Sequence, residues 1–170
     1  MNIWDWLYSN SLDKNITATK LKGRRILLTA TDKQIYCTDV ESAHNPQPGD
    51  TLVIPTGIIS FLLQGFNGTK INPIVIIPED SGWIGGYAAY SGNVSRATHF
   101  KLSGFHIDGQ YSTNFGLVVG NESSDYEIAN CYIKNTASIG LCAKHNPDPQ
   151  KPEKNWPNFV IRNVVIHGCA

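Results

Sequence analysis

Lys144, His145 and Asn146 follow directly after an apolar segment, residues 139–143. Aligning that segment with the earlier one that it repeats places this run beside Glu122. The alignment therefore predicts that an ammonium group, an imidazole and a carboxylate lie close together. Such groups can remove a proton and stabilise the negative charge that develops, so Lys144 and His145 are candidate catalytic residues, with Glu122 and Asn146 as candidate binding residues. The competing interpretation is that they are solvated side chains in ordinary turns.

The elements that would position them are strands of a repeat. Three ten-residue segments can be superimposed; they begin at Phe100, Tyr126 and Phe159, so their starts are 26 and then 33 residues apart. A repeat of this length cannot bury its own apolar face and must stack on its neighbours. The stacking predicts three inward apolar columns: Leu102/Ile128/Ile161, Phe105/Cys131/Val164 and Ile107/Ile133/Ile166. Between them it predicts two outward pairs of opposite charge: Lys101 beside Glu127, and Asp108 beside Lys134.

A turn column separates the two halves of each repeat. Gly104, Asn130 and Asn163 occupy it, and stacked asparagine amides can hydrogen-bond from one layer to the next. A second strand follows at residues 115–119 and again at 139–143. These observations predict an all-β fold of stacked parallel strands. An antiparallel sandwich is the structural alternative, since short strands with turn signals are typical of it too, but it would not predict matching columns.

Two upstream motifs carry a family resemblance. Residues 48–57 read Pro-Gly-Asp-Thr-Leu-Val-Ile-Pro-Thr-Gly, and residues 67–77 read Asn-Gly-Thr-Lys-Ile-Asn-Pro-Ile-Val-Ile-Ile. Both resemble the opening coils of pectate-lyase-like right-handed β-helix proteins. The resemblance implies a right-handed parallel β-helix solenoid over residues 48–170, truncated after about four to five coils. Residues 1–47 would be an N-terminal cap or lead-in, in which Ile3, Trp4 and Leu7 have the spacing of a short amphipathic helix.

The same resemblance implies a polysaccharide partner, an extracellular or periplasmic location, and Ca²⁺ as a cofactor of some relatives. β-Elimination of a uronate polysaccharide needs a base and a positive group or Ca²⁺ beside the sugar carboxylate, which suits Lys144 and His145. A proline-rich loop that contains Trp156 makes the stretch from the second strand to the next repeat nine residues longer in the second repeat, residues 139–159, than in the first, residues 115–126. Trp156 is a candidate for stacking on a sugar ring; alternatively it anchors the loop against the body of the protein.

Composition excludes other partners. Basic and acidic residues number 14 each, so no phosphate-tracking basic surface and no nucleic-acid partner are expected. No membrane segment is predicted because the longest apolar run, residues 58–63, is far too short, and no signal peptide is visible in residues 1–12. The third repeat stops in mid-coil at Ala170. We therefore expect that the sequence is a fragment and that missing C-terminal coils or another chain cover the open end.

Two functional hypotheses follow. The first is a carbohydrate-active enzyme, a polysaccharide lyase or a relative of one. A glycoside hydrolase would need two carboxylates at a set separation, and no motif pairs any two of Asp108, Glu122 and Asp125. The second hypothesis is a non-catalytic β-helix, such as an adhesin, a glycan-binding stalk or a tailspike segment.

Overall fold

The computed structural model describes residues 23–86, 89–120, 122–143 and 158–169. These residues form an all-β fold with a mainly parallel sheet and one short helix, α1 (Val40–His44). The strands are β1 (Arg25–Leu27), β2 (Gln34–Cys37), β3 (Thr51–Ile54), β4 (Ser60–Asn67), β5 (Ile74–Pro78), β6 (Trp83–Ile84), β7 (Tyr90–Ser103), β8 (His106–Asp108), β9 (Phe115–Val119), β10 (Ser124–Lys134), β11 (Ile139–Ala143) and β12 (Phe159–His167).

The strands pair in three stacks that grow as the chain winds, and the second stack begins only with β6. The first stack runs through β1, β3, β5, the end of β7, the start of β10 and the start of β12. The second stack contains β6, β8 and the ends of β10 and β12. The third stack contains β2, β4, the start of β7, β9 and β11. All of these ladders are parallel, so the antiparallel sandwich is wrong for the described residues.

The predicted apolar columns are confirmed. Ile128 pairs with Leu102 on one side and with Ile161 on the other, and Ile133 pairs in the same way with Ile107 and Ile166. Leu102, Ile107, Ile128 and Ile133 belong to one core between the stacks. Ile128 is 0% exposed, whereas Ile161 in the last described layer is 42% exposed. Each layer therefore depends on its neighbours to bury its apolar face.

The outward columns carry the predicted charges. The Lys101 Nζ lies 3.0 Å from a Glu127 carboxylate oxygen, and the Lys134 Nζ lies 3.2 Å from an Asp108 carboxylate oxygen. Glu127 also accepts from Arg162 in the next layer. Pairs of this kind near the surface stabilise by about 1 kcal/mol or less each, so they set the register more than the stability.

The turn column is confirmed as well. Gly104, Asn130 and Asn163 all have positive φ angles, 82°, 53° and 51°, a conformation that glycine and asparagine adopt most readily. The Asn163 Nδ2 donates to the Asn130 Oδ1 at 3.2 Å, and the Asn130 Nδ2 donates to the Ser103 Oγ at 3.3 Å. Asparagine thus satisfies both the backbone angle and the side-chain ladder at this bend.

The stacking extends upstream of residue 48. β1 pairs with β3 and β2 pairs with β4, so residues 25–37 already belong to the first and third stacks. Asp50 fastens this layer: it accepts from the Arg24 amide at 2.7 Å, from the Arg24 guanidinium at 2.7 and 3.0 Å and from the Gln47 amide at 2.9 Å. Ile3, Trp4 and Leu7 lie outside the described residues.

Asp50→Asn should destabilise the fold most strongly above pH 4. Burial alone would raise the pKa of Asp50, but the hydrogen bonds from Arg24 and Gln47 outweigh it, so this pKa lies below its ordinary value. A carboxyl with a lowered folded-state pKa stabilises the protein above its unfolded-state pKa, and that stability is lost as the pH falls through the folded-state pKa. We expect Asp50→Asn to cost about 1–2 kcal/mol at pH 7 and to flatten the acid limb in urea unfolding from pH 7 to 3. Glu41→Gln, on exposed α1, is the control.

Candidate functional site

A groove of about 420 Å³ lies along the outer face of the third stack. Its side chains come from columns that the register defines. One edge is aromatic, with Tyr90 beside Phe115. The floor mixes polar and apolar side chains, and the opposite edge lies at the bend that leads into the first stack. The lining residues are Gln64, Tyr90, Asn93, Ser95, Arg96, Phe115, Val118, Gly120, Glu122 and Cys142.

The floor of the groove offers a vacant acceptor. Among the described residues, the Asn93 Oδ1 is buried and has no hydrogen-bond partner. A buried acceptor without a partner loses free energy that an incoming hydroxyl or amide would restore. Gly120 lies beside it, and a Cβ at that position would stand 3.1 Å from the Ser95 Cβ and 3.6 Å from the Asn93 Oδ1. Glycine therefore leaves more room around this acceptor than any other residue would.

Arg96 is the fixed cation at the far edge. It lies opposite Gly65 in the register and shares its left-handed backbone, with φ angles of 51° and 70°. Its Nη2 donates to the Thr38 carbonyl oxygen at 2.6 Å and to the Gln64 Oε1 at 2.8 Å. Both acceptors are neutral, so they orient the guanidinium without neutralising its charge.

Two neighbours extend this arrangement. The Gln64 Nε2 donates to the Ser95 Oγ at 2.8 Å, which fixes the amide that holds Arg96. The pKa of Asp39 is lowered chiefly by hydrogen bonds from the Ser42 amide and hydroxyl, and more weakly by the charge of Arg96. No carboxylate of the described chain forms an ion pair with Arg96. The guanidinium thus keeps its attraction for an external anion.

Of the sequence-predicted site residues, Glu122 lines this groove, at the same bend as Arg96 and with a φ angle of 61°. Lys144, His145, Asn146 and Trp156 lie outside the described residues. The alignment of the two second strands, from which Lys144, His145 and Asn146 were placed, is confirmed as far as Ala143. Cys142 pairs with Val118, and Ala143 pairs with Val119. The roles assigned to all five residues stay predictions.

Sequence reasoning missed Tyr90, Asn93 and Arg96. A usable signal was present, because residues 62–65 and 93–96 have the same order of an outward residue, an inward apolar residue, a polar residue and a bend residue, 31 positions apart. No second copy with arginine at the bend draws attention to Arg96, since Gly65 occupies that place one layer below. The repeat fixes where the side chain lies but not that it carries a charge.

A second groove, of about 540 Å³, lies on the outer face of the first stack. Its charged residues largely satisfy one another: Glu127 pairs with Lys101 and Arg162, and Asp125 accepts from the Asn158 amide at 3.0 Å. The groove over the third stack combines a cation with neutral partners and an unpaired acceptor. It is therefore the better candidate for a binding site.

Metal ligation and membrane insertion gain no support from the described part of the chain. Ca²⁺ in proteins takes about six to eight oxygen ligands, often from several carboxylates. No three His, Cys, Asp or Glu side chains of the described residues gather to hold a metal ion. The residues present thus do not fit the Ca²⁺ that the family resemblance implies. Within the same residues, no helix has the length and apolarity to cross a bilayer.

Comparison with known proteins gives one structural likeness. The fold is similar to the crystal structure of an alginate lyase from Paenibacillus sp. str. FPU-7, with a TM-score of 0.50 and 21% sequence identity. The likeness covers 84% of this chain and 58% of that one, so this chain spans little more than half of the lyase's length. No protein-family model and no curated protein matches the sequence. At this identity the likeness concerns the fold alone.

Proposed function

We propose that the chain forms coils of a right-handed parallel β-helix that binds a uronate-containing polysaccharide along the third stack and cleaves it by β-elimination. The observation that carries the proposal is the Arg96 guanidinium at the edge of an outer-face groove, which two neutral acceptors orient and which forms no salt bridge with the described residues. The parallel stacks and the fold likeness to an alginate lyase support it. Such a polymer lies outside the cytoplasm, so we extend the proposal to an extracellular or periplasmic location.

β-Elimination sets clear demands on the site. A base takes the proton at C5 of the uronate, and the released electron pair forms the C4–C5 double bond. The C4–oxygen bond breaks, and the departing sugar oxygen takes up a proton. Charge builds on the C6 carboxylate as the C5 proton leaves, so a cation next to that carboxylate lowers the barrier.

The groove can meet these demands with a division of roles. Arg96 binds and neutralises the carboxylate, because a guanidinium matches a carboxylate with two parallel hydrogen bonds. A small shift of the Asn93 side chain would bring its buried Oδ1 within reach of a sugar hydroxyl, and the Tyr90 and Phe115 rings lie along one side of the sugar. Lys144 or His145 serves as the base, with Glu122 and Asn146 as hydrogen-bonding neighbours and Trp156 as a stacking residue. No step is assigned to Ca²⁺.

A panel of alginate, pectate and glycosaminoglycans tests this proposal. The expected result is a rise in ultraviolet absorbance from the unsaturated product on one uronate polymer, and none on a neutral glucan. One of the two variants His145→Ala and Lys144→Ala, the one that removes the base, should lower the initial rate by about 10²-fold or more, the usual scale for loss of a general base. Absence of unsaturated product on every uronate polymer would rule out the lyase activity.

The non-catalytic glycan-binding alternative makes a different prediction. It requires retention on the polysaccharide with no product, unchanged by Lys144→Ala and His145→Ala and weakened by Trp156→Ala. The Asn93 acceptor and the Arg96 cation suit sugar binding with or without chemistry. The two alternatives are thus separated by the product assay and not by the binding assay.

A further inference from the structure

Tyr36 is the most exposed aromatic side chain among the described residues that lie on the groove face. It is 75% exposed, although it lies in the middle of β2 with Ile35 buried beside it. A tyrosine ring with this exposure buries little apolar surface and contributes little to the free energy of folding. Packing in the core therefore does not account for Tyr36.

The register places Tyr36 in line with the groove floor. It pairs with Leu62, Leu62 pairs with Asn93, and Asn93 pairs with Val118. Adjacent strands lie about 4.8 Å apart, so Tyr36 stands two layers, or about 10 Å, from the Asn93 acceptor. Leu62 is 8% exposed and Val118, within the groove, is 9% exposed. The Leu62 side chain, which lies between Tyr36 and the groove, is thus as little exposed as Val118 in the groove floor.

The polar edge of the groove continues from Arg96 in the same direction. Arg96 reaches back across the layer of Gln64 to the Thr38 carbonyl oxygen, which is two residues from Tyr36 in β2's layer. One continuous edge therefore runs from Glu122 through Arg96 to Thr38. A linear polymer that places a carboxylate on Arg96 and extends along the third stack towards β2 passes over Tyr36.

We propose that Tyr36 forms a remote sugar-binding subsite of the groove, where its ring stacks on a sugar residue beyond the one bound at Arg96. This inference rests on the proposed function, because it takes the ligand to be a uronate polysaccharide. The tyrosine supplies an apolar face for the C–H side of a sugar and a hydroxyl for its edge. Binding then grows with polymer length, since a short oligomer held at Arg96 does not reach Tyr36.

Gel retardation in alginate and in pectate tests the inference with the protein as it exists. We expect Tyr36→Ala to weaken the apparent affinity by roughly five- to tenfold in the gel that retards the wild type, the effect of losing one aromatic contact. Tyr111→Ala is the matched control, because Tyr111 is also an exposed tyrosine, at 67%, and does not line the groove. Competition by a dimer of the same sugar should displace wild type and Tyr36→Ala equally well.

The outcomes separate the two proposals. Equal retardation of wild type and Tyr36→Ala overturns the subsite and leaves the proposed function standing. An equal loss in Tyr36→Ala and Tyr111→Ala also overturns it, since the effect would not be specific to the groove face. If neither gel retards the wild type, the subsite falls, and with it the proposed function for alginate and pectate. Thermal melts of both variants within a few degrees of wild type exclude unfolding as the cause.

Discussion

Arg96→Gln is expected to lower kcat/KM on a uronate polysaccharide by roughly 10²–10³-fold, the scale seen when one charge-stabilising donor is removed. Glutamine keeps a hydrogen-bonding head and much of the length but loses the positive charge. The fold should survive, because Arg96 is exposed and donates to the neutral acceptors Thr38 and Gln64. The measurement is the initial rate of unsaturated product, with a thermal melt of each variant.

Arg162→Gln is the matched control. Arg162 is also an arginine on an outer face, but its guanidinium pairs with Glu127 on the first stack and lies away from the groove. We expect this variant to retain full activity. Arg96→Lys should recover part of the rate, because it restores the charge but not the two-pronged geometry. An Arg96→Gln enzyme as active as wild type would remove Arg96 from the mechanism, and with it the main support for the site.

The columns could be predicted from the sequence because every repeat has a residue of the same type at the same position in each column. Leu102, Ile128 and Ile161 are each apolar at the same place, and random alternation would not place Lys101 beside Glu127 in the same register. A property that every layer must share, such as apolar burial or the turn angle of Asn130, constrains the residue type at that position in every repeat. The stacking of such a fold can therefore be predicted from one sequence alone.

The groove could not be predicted in the same way, because it depends on what differs between layers. At one bend the successive residues are Gly65 and Arg96, and only the second carries a charge. His106 shows the same limit. His106 pairs with Tyr132 in a column that the strand alternation directs outward. In the structure His106 is nevertheless buried, and the ring of Trp83 in the adjacent layer lies 5.4 Å from its ring between centroids. This burial lowers the pKa of His106.

The strands of the first layer could not be predicted from the sequence for a related reason. β1 contains three residues, too few to show the alternation that identifies the later strands. Its place in the stack depends on the Asp50 carboxylate and the Arg24 guanidinium, a pair 26 residues apart in sequence. Such a contact becomes visible only when the register of β3 is known.

Phe105→Ala is expected to cost about 3–5 kcal/mol of unfolding free energy, the range for removing a buried aromatic ring. Phe105 is 0% exposed and its ring centroid lies 5.3 Å from that of Phe61, so it joins the second stack to the third across the core. The neighbouring layers are held by their own hydrogen bonds and cannot close the cavity. Urea unfolding followed by circular dichroism measures the loss, and the melting temperature should fall by about 10 °C or more.

Phe159→Ala makes the same chemical change in the last described layer. Phe159 is 47% exposed, and its ring stacks on that of Tyr126 at 5.5 Å between centroids. Because nearly half of its surface is already exposed, truncation should cost clearly less than at Phe105, while Phe105→Leu should recover most of the stability. Equal losses at Phe105 and Phe159 would mean that burial between layers does not hold the stacks together, and the groove that those stacks position would lose its physical basis.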